Sequence, residues 1–311
     1  MNLRDLRYII KVAELKHFWR AAAACHVSQP TLSGQILKLE EELGISIFER
    51  VGKSLTTTAA GDLILAHARR AIAAADDLIA CAKASRDPML GALRLGVIPT
   101  LAPYLMPFVL PLARCAMPKT PLALVEDMTA RLIEPVLHGE LDAALIASHP
   151  ETESLDVTPL FEEPFLLVLR GDHRLAAEDA ADASAIDPDE LLLLADGHCL
   201  RDQALELCRH TRRGEGDMAD MRATSLQTLL HMAAAGYGMT LMPGLALIDE
   251  QILPGHLVAR RLRGPHTSRL IRLISRPTNP RRPAIEALAQ LIRKSVPETL
   301  VKPRETIALR A

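Results

Sequence analysis

The segment from residue 20 to residue 44 constrains the fold of this chain more than any other. It runs from an Ala-rich stretch through Ser28 and Pro30 to Gly44. Ser28 is a favoured N-cap, Pro30 suits the helical turn that follows it, and Gly44 is a favoured helix end. We therefore predict two helices joined by a tight turn, the second from about 29 to 43, with small alanines in the first that allow close packing.

Apolar residues at helical spacing between Leu3 and Ala13 predict a helix ahead of this pair. The pair itself is typical of a helix-turn-helix, whose second helix enters the major groove of DNA and turns its N-terminal residues to the base edges. Hydroxyl and amide side chains there suit base edges and phosphates. The residues predicted to contact DNA on this helix are Ser28, Gln29, Pro30, Thr31, Ser33, Gln35 and Lys38. A small helical bundle that contacts no DNA is the alternative.

Two short extended runs flank Gly52 and Lys53, as in the hairpin wing of a winged helix. Arg50 and Lys53 are predicted there to contact the phosphate backbone. The residues from Thr58 to about Lys83 then carry an apolar stripe at helical spacing, without proline. We predict a long helix that pairs with a partner helix, with packing on its own domain as the alternative.

Strands and helices alternate from about residue 91 onward, which predicts a parallel sheet covered by helices. The segment from Thr100 to Pro103 is expected to be a loop that leaves the first strand. The pattern near residue 270 predicts that the chain returns there to the first α/β unit. Two crossings between two lobes leave a cleft, the usual place for a small ligand. The predicted strands of the first unit are 93–98, 122–126 and 141–146, and the predicted helices are 129–137 and a final one from about 283 to 295. The run 164–169 leads into the second unit, which contains 191–194, 225–235 and 239–243, and the return falls at about 270–274.

Cys199 and Cys208 lie in a short predicted helix that begins after the turn at Asp196 and Gly197. Free amides at the helix start, with His198 and Arg201 nearby, favour a thiolate at Cys199, the form that an oxidant attacks. Nine helical residues rise by about 13 Å, whereas a disulfide needs Cα atoms roughly 4.4–6.8 Å apart. A bond between the two cysteines therefore requires the segment to refold. The alternative is that each cysteine is a small buried apolar residue.

Composition excludes several classes of protein. The net charge of −2 argues against a uniformly basic protein. The five cysteines are scattered, at 25, 81, 115, 199 and 208, without zinc spacing, so neither a metal site nor a cofactor is expected. No apolar stretch reaches the roughly 18 residues of a membrane span, and the charged start is unlike a signal peptide. We expect a cytoplasmic protein with reduced thiols and no membrane contact.

The motifs of the first 61 residues resemble the DNA-binding domain of LysR-type transcriptional regulators. The resemblance rests on Val27–Ser33, on Phe48–Arg50 and on the Thr58–Gly61 motif that opens the long helix. It implies a winged helix-turn-helix over 1–58, a dimerising linker helix over 59–88 and a two-lobed α/β effector domain, like a periplasmic binding protein, over 91–302. Lobe I is expected at about 91–162 and 268–302, and lobe II at about 163–267.

The effector region is similar, more narrowly, to the hydrogen peroxide sensors of that family. The similarity rests on the run Gly197–Ala204 with Cys208, on Arg222–Leu226 and on Ile98–Thr100. It implies that Cys199 reacts with peroxide and that Cys208 resolves the product to a disulfide. It further implies a pocket that holds the peroxide or stabilises the thiolate, formed by Thr100, Thr129, His198, Arg201, Asp202 and Arg269.

The resemblance implies a transcription activator of antioxidant genes, not an enzyme. Its expected partners are double-stranded promoter DNA, hydrogen peroxide as the signal, RNA polymerase, thiol reductants of the glutaredoxin or thioredoxin type, and three further copies of the chain in a dimer of dimers. A regulator of the same family that answers a small organic metabolite in the cleft is the first alternative. A thiol peroxidase is the second, and the DNA-binding motifs argue against it.

Overall fold

The computed structural model describes residues 1–51, 54–84, 87, 89–207, 222–248 and 253–297. The chain forms two compact units, one made mainly of residues 1–86 and the other mainly of the residues that follow. Within the described residues, no helix has both the length and the apolar character needed to cross a bilayer.

The first unit is a winged helix-turn-helix. Its helices are α1 (Leu3–Leu15), α2 (Phe18–Ala24), α3 (Gln29–Leu43) and α4 (Ala59–Ala84), and its wing strands are β1 (Phe48–Val51) and β2 (Ser54–Thr57). The Ser28 hydroxyl accepts the Thr31 amide at 3.2 Å, and Gly44 ends α3 with a φ of 69°. The predicted bounds of α3 are therefore confirmed, because its cap and its terminating glycine lie where the sequence placed them.

The wing strands pair antiparallel, with Phe48 opposite Thr57. Gly52 and Lys53, at the tip of the predicted wing, lie outside the described residues. The long helix α4 exposes large apolar side chains, among them Leu63 and Leu78, which are 68% and 71% exposed. The first half of the predicted stripe packs on its own domain, as in the alternative, because Ala68 is buried and Ile72 is partly buried in the core of the first unit. Leu78 and Ile79, near the end of the stripe, remain exposed, and exposed apolar residues of this kind are typical of a surface that a partner covers.

Ten strands of the described residues form one mixed sheet in the second unit. They are β3 (Leu93–Val97), β4 (Leu122–Glu126), β5 (Ala143–Ile146), β6 (Asp156–Arg170), β7 (Ala180–Asp182), β8 (Leu191–Leu194), β9 (Arg222–Ala223), β10 (Met239–Pro243), β11 (Leu257–Arg263) and β12 (Ser268–Ser275). The order is β4-β3-β5-β12-β6-β10-β8-β9, while β11 pairs with β6 and β7. The parallel prediction is right for β4-β3-β5 and for β10-β8-β9, but β6 and β12 are antiparallel to their neighbours.

The second unit has two lobes with separate apolar cores. The first core packs α5 (Ala102–Ala116), α6 (Thr129–Leu137) and α9 (Arg282–Ser295) on the sheet formed around β3 and β5. The cores of the other lobe form between the second half of β6, β8, β10 and the helices α7 (Cys199–Leu207) and α8 (Leu226–Ala234). Strands β6 and β12 pair from Asp156 to Pro164, where the two lobes meet, and β6 continues into the second lobe.

The helix α5 corrects the prediction that Thr100 to Pro103 form only an exit loop. Pro103 lies in the first turn, where its missing N–H is not needed. Pro107 and Pro111 follow at spacings of four and are exposed, so all three prolines share the solvent side of the helix. Burial of Leu105 and its apolar neighbours on the opposite side outweighs the hydrogen bonds that the prolines remove.

Candidate redox site and nucleic-acid interface

A cleft of about 720 Å³ lies between the lobes of the second unit. Helix α6 contributes Thr129 to it, helix α7 contributes Cys199 and Gln203, and strand β12 contributes Arg269 and Arg272. The cleft predicted from two crossings between α/β lobes is therefore present, and Cys199 is one of the residues that line it.

Cys199 is the first residue of α7 and is partly buried. The turn before it depends on Gly197, whose φ is 94°. A Cβ at this position would lie 2.7 Å from the Met128 sulfur, so a side chain would be both strained and obstructed. Gly197 thus allows the chain to turn tightly against the first lobe and to start α7 with its cysteine at the cleft.

The pKa of Cys199 is raised because burial disfavours the charged thiolate. The positive charge of Arg269 is the largest influence in the opposite direction, followed by the backbone amide of Leu200 and the hydroxyl of Thr129. The negative charge of Asp202 raises the pKa further. The expected contribution of helix-start amides is present, but the resting thiol is protonated more strongly than the sequence suggests.

Arg269 is fixed in place by three groups. Its Nε donates to the Glu163 carboxylate at 2.8 Å, and both side chains are fully buried. Its Nη1 donates to the Thr100 hydroxyl at 2.9 Å and its Nη2 to the Thr100 carbonyl at 3.0 Å. Thr100 therefore holds Arg269 in place. Glu163 also belongs to the site, although the sequence interpretation missed this residue.

Two buried oxygens near Cys199 lack hydrogen bonds to any atom of the described residues. One is the Thr129 hydroxyl, which lies near enough to the sulfur to lower its pKa yet makes no bond of ordinary geometry. The other is Oε1 of Gln203, whose amide nitrogen donates to the Ala147 carbonyl at 2.9 Å. Buried polar groups are normally satisfied, so these two atoms indicate room for a small hydrogen-bonding molecule.

His198 and Asp202 flank Cys199 without supplying positive charge. His198 is buried, and burial lowers the pKa of its imidazole, which favours the neutral form. Asp202 is exposed in the first turn of α7 and lines the cleft. Neither residue can account for a stabilised thiolate.

The predicted role of Arg201 beside the thiolate is corrected by its contacts. Its Nε pairs with Asp196 at 2.9 Å, and its Nη1 donates to the Leu194 carbonyl at 3.4 Å. Residues two apart on a helix do not share a face, so Arg201 is directed away from the sulfur of Cys199. The cation that acts on the thiol is Arg269 instead.

Cys208, the predicted resolving cysteine, lies outside the described residues, but α7 constrains the pairing. The nine residues of α7 rise about 12 Å from the Cα of Cys199 to that of Leu207. The next Cα is at most about 3.8 Å further along the chain in any direction. The Cα atoms of the two cysteines are thus at least about 8 Å apart while α7 is intact, beyond the roughly 4.4–6.8 Å of a disulfide.

The N-terminal end of α3 presents most of the predicted DNA-contacting residues to solvent. Gln29, Pro30, Thr31 and Lys38 are exposed. The Gln29 amide donates to the Ser33 hydroxyl at 2.9 Å, and the Ser28 and Thr31 hydroxyls bond to each other at 2.7 Å, so this surface is partly preorganised.

Three further observations bear on the nucleic-acid surface. Gln35 and Ser33 are partly buried, and Arg50 is exposed at the wing. Apart from its chain neighbours and the adjacent backbone of α3, no heavy atom of the described residues lies within 4 Å of the site that a Cβ of Gly34 would occupy, so this exposed position leaves room for a DNA backbone. Lys53, the second predicted wing contact, lies outside the described residues.

Within the described residues, no group of three or more His, Cys, Asp or Glu side chains is arranged to hold a metal.

Comparison with known families assigns both units. Residues 3–62 match the bacterial regulatory helix-turn-helix protein family model of the lysR type, and residues 86–297 match the LysR substrate binding domain. The chain belongs to the LysR family of bacterial regulators, and is a DNA-binding transcriptional regulator.

OxyR proteins and hydrogen peroxide-inducible activators are among its relatives within that family. The chain is 42% identical over 294 residues to the hydrogen peroxide-inducible genes activator of Dickeya chrysanthemi, covering 94% of this chain and 95% of that protein. It is 41% identical over 293 residues to the DNA-binding transcriptional dual regulator OxyR of Escherichia coli strain K12, with the same coverage.

Solved structures of OxyR proteins match along nearly the whole chain. A cysteine-to-aspartate variant of full-length OxyR from Pseudomonas aeruginosa is 36% identical, with a TM-score of 0.77 and coverage of 98% of this chain and 99% of that one. A cysteine-to-serine variant of Corynebacterium glutamicum OxyR with hydrogen peroxide bound is 33% identical, with a TM-score of 0.64 and coverage of 94% and 92%.

Proposed function

We propose that this protein is a transcription activator that senses hydrogen peroxide through Cys199 and Cys208. The observation that carries the proposal is the position of Cys199: it lines a cleft together with the buried cation of Arg269 and the unpartnered hydroxyl of Thr129. A peroxide both donates and accepts hydrogen bonds, so it suits the unpartnered oxygens of Thr129 and Gln203.

The first chemical step oxidises Cys199. Its thiolate attacks one oxygen of hydrogen peroxide, an S–O bond forms and the O–O bond breaks. The sulfur becomes a sulfenic acid, and the other oxygen leaves as hydroxide, which takes a proton to become water. Arg269 lies where it favours the attacking thiolate, while the raised pKa limits the thiolate present at rest.

The second step joins the two cysteines. The thiolate of Cys208 attacks the sulfenic sulfur, an S–S bond forms, and the sulfenic oxygen leaves as water after taking a proton. Because the intact helix α7 holds the two Cα atoms too far apart, α7 has to open before this bond can form. The chemical signal is thereby converted into a local change of fold.

The remaining roles follow from this assignment. The winged helix-turn-helix binds promoter DNA through α3, and the exposed apolar residues of α4 pair two chains, which assemble further into a homotetramer. Repacking around α7 alters the spacing of the DNA-binding units and contact with RNA polymerase. A dithiol reductant of the glutaredoxin or thioredoxin type resets the disulfide, and the protein acts in the cytoplasm as a regulator, not as an enzyme.

The size of the cleft favours a second candidate function. A volume of about 720 Å³ is far larger than hydrogen peroxide needs and lies in the range of sites for small organic molecules. A regulator that answers a metabolite in this cleft would keep its response after Cys199→Ser substitution and would not respond to peroxide.

Mass spectrometry of the full chain tests the proposal. Reduced protein is treated with one equivalent of hydrogen peroxide, its thiols are trapped after set times, and the peptides are mapped. A bridge between Cys199 and Cys208 within seconds, absent in Cys199→Ser, is expected. Slow oxidation, with Cys199 no faster than Cys25 or Cys115, would contradict the proposal and favour the metabolite sensor.

A further inference from the structure

Glu163 and Arg269 form a buried ion pair where the two lobes meet. They are direct cross-strand neighbours on β6 and β12, and neither side chain is exposed. One Glu163 oxygen accepts from Arg269 and the other accepts the backbone amide of Leu245 at 2.8 Å. With both oxygens occupied, the carboxylate has its hydrogen bonds satisfied in a setting of low polarity.

Arg269 has a second set of contacts that does not involve Glu163. The Thr100 hydroxyl and carbonyl each accept one of its Nη groups. A neutral side chain of the same shape at position 163 would therefore leave the guanidinium anchored at its other end, next to Cys199.

The pair matters to Cys199 because Arg269 is the largest influence that lowers the pKa of this thiol. In a buried site, a carboxylate hydrogen-bonded to a guanidinium cancels much of its field at a third group. The pKa of Cys199 is nevertheless raised, because burial outweighs the charge of Arg269. A cation whose field is partly cancelled by its counter-ion is one reason why the favourable charge of Arg269 does not overcome burial.

We propose that Glu163 is a positioning residue which, as the counter-ion of Arg269, restrains the reactivity of the Cys199 thiol. The inference rests on the proposed peroxide-sensing function of Cys199 and deepens it. Glu163 touches neither the sulfur nor the cleft, and acts only through the charge and orientation of Arg269. It would set the peroxide concentration at which the sensor responds, by fixing the share of Cys199 that is thiolate at rest.

The pH dependence of alkylation tests this role in the full-length protein. Glu163→Gln and the unsubstituted chain are treated with iodoacetamide from pH 5 to pH 10, and the rate is read on the Cys199 peptide. The profile of Glu163→Gln is expected to move to lower pH. A shift of one pKa unit would raise the rate about tenfold at a pH well below the pKa, because the rate follows the thiolate fraction.

Glu162→Gln is the matched control. It removes the same charge one residue away, but the Glu162 carboxylate accepts from the Ser268 hydroxyl and not from Arg269. Its profile is expected to move much less. Glu163→Asp retains the charge and is expected to stay close to the unsubstituted profile, even where it lowers the thermal stability.

An unchanged profile for Glu163→Gln, or a shift to higher pH, would overturn the proposal. If Glu163→Gln does not fold, Glu163→Asp decides: a profile moved to lower pH despite the retained charge would overturn the proposal, and an unmoved one would support it. Alkylation needs no peroxide, so the result holds even if Cys199 proves unreactive towards hydrogen peroxide. That failure would refute the proposed function alone.

Discussion

Opening of α7 should limit how fast the sulfenic acid of Cys199 is resolved, and Leu207→Ala is expected to accelerate this step. Leu200, Ala204 and Leu207 are buried at 3%, 3% and 5% exposure and pack into the cores of the second lobe. A helix of nine residues has little stability of its own. These side chains therefore hold α7 closed, and removing one of them favours the open form.

The magnitude follows from the burial of Leu207. Truncation of a buried leucine to alanine costs about 2–5 kcal/mol. If α7 leaves its site when it opens, the closed form alone bears this cost. At about 1.4 kcal/mol per decade, the open population rises at least about 30-fold. The first oxidation step should change little, because Leu207 lies about 12 Å along the helix from Cys199.

Competition with dimedone, which traps sulfenic acids, measures the resolving step. Protein is oxidised with one equivalent of hydrogen peroxide in dimedone, and the ratio of disulfide to Cys199 adduct is read by mass spectrometry. Leu207→Ala should raise this ratio at least about 30-fold. Leu205→Ala makes the same change at a partly buried position of the helix and should raise it far less. An unchanged ratio in Leu207→Ala, with the expected loss of stability, would refute the reasoning.

Three further outcomes are expected. Arg269→Met leaves Glu163 buried without its partner and should lower the free energy of unfolding in urea by about 3–5 kcal/mol, with much of the loss recovered when Glu163→Leu is added. Burial lowers the pKa of His198, so the stability that this residue contributes is present above its unfolded pKa of about 6.5 and is lost as the pH falls through its folded pKa. In urea titrations, His198→Asn should reduce the loss of unfolding free energy between pH 7.5 and pH 5.0. Lys38→Ala should reduce the slope of log affinity against log salt by about one for promoter DNA, and an unchanged slope would exclude a phosphate contact.

Local signals made the DNA-binding unit predictable. The N-cap at Ser28, the proline after it and the glycine at position 44 define α3 by short-range chemistry, and the structure reproduces its bounds. The start of α7 at Cys199 was predictable for the same reason, because the turn at Gly197 is local.

The electrostatics of Cys199 depended on residues far apart in the chain. Arg201 is close in sequence but pairs with Asp196, whereas the charge that lowers the pKa of the thiol comes from Arg269 on strand β12. Glu163 was not singled out, although charged residues between Phe161 and the apolar run that follows, here Glu162 and Glu163, are a signal for a buried, paired carboxylate. The raised pKa could not be foreseen, since it depends on burial by elements that only the fold brings together.

The shortness of α7 has a consequence for how long a signal lasts. Elements of this size form in about a microsecond, whereas exchange of a disulfide takes seconds to hours. Once the proposed bond is reduced, the helix can return almost at once, driven by the apolar contacts of Leu200 and Leu207. The oxidised conformation would then not persist after the disulfide is reduced. The duration of the transcriptional response would therefore depend on the supply of reductant in the cell.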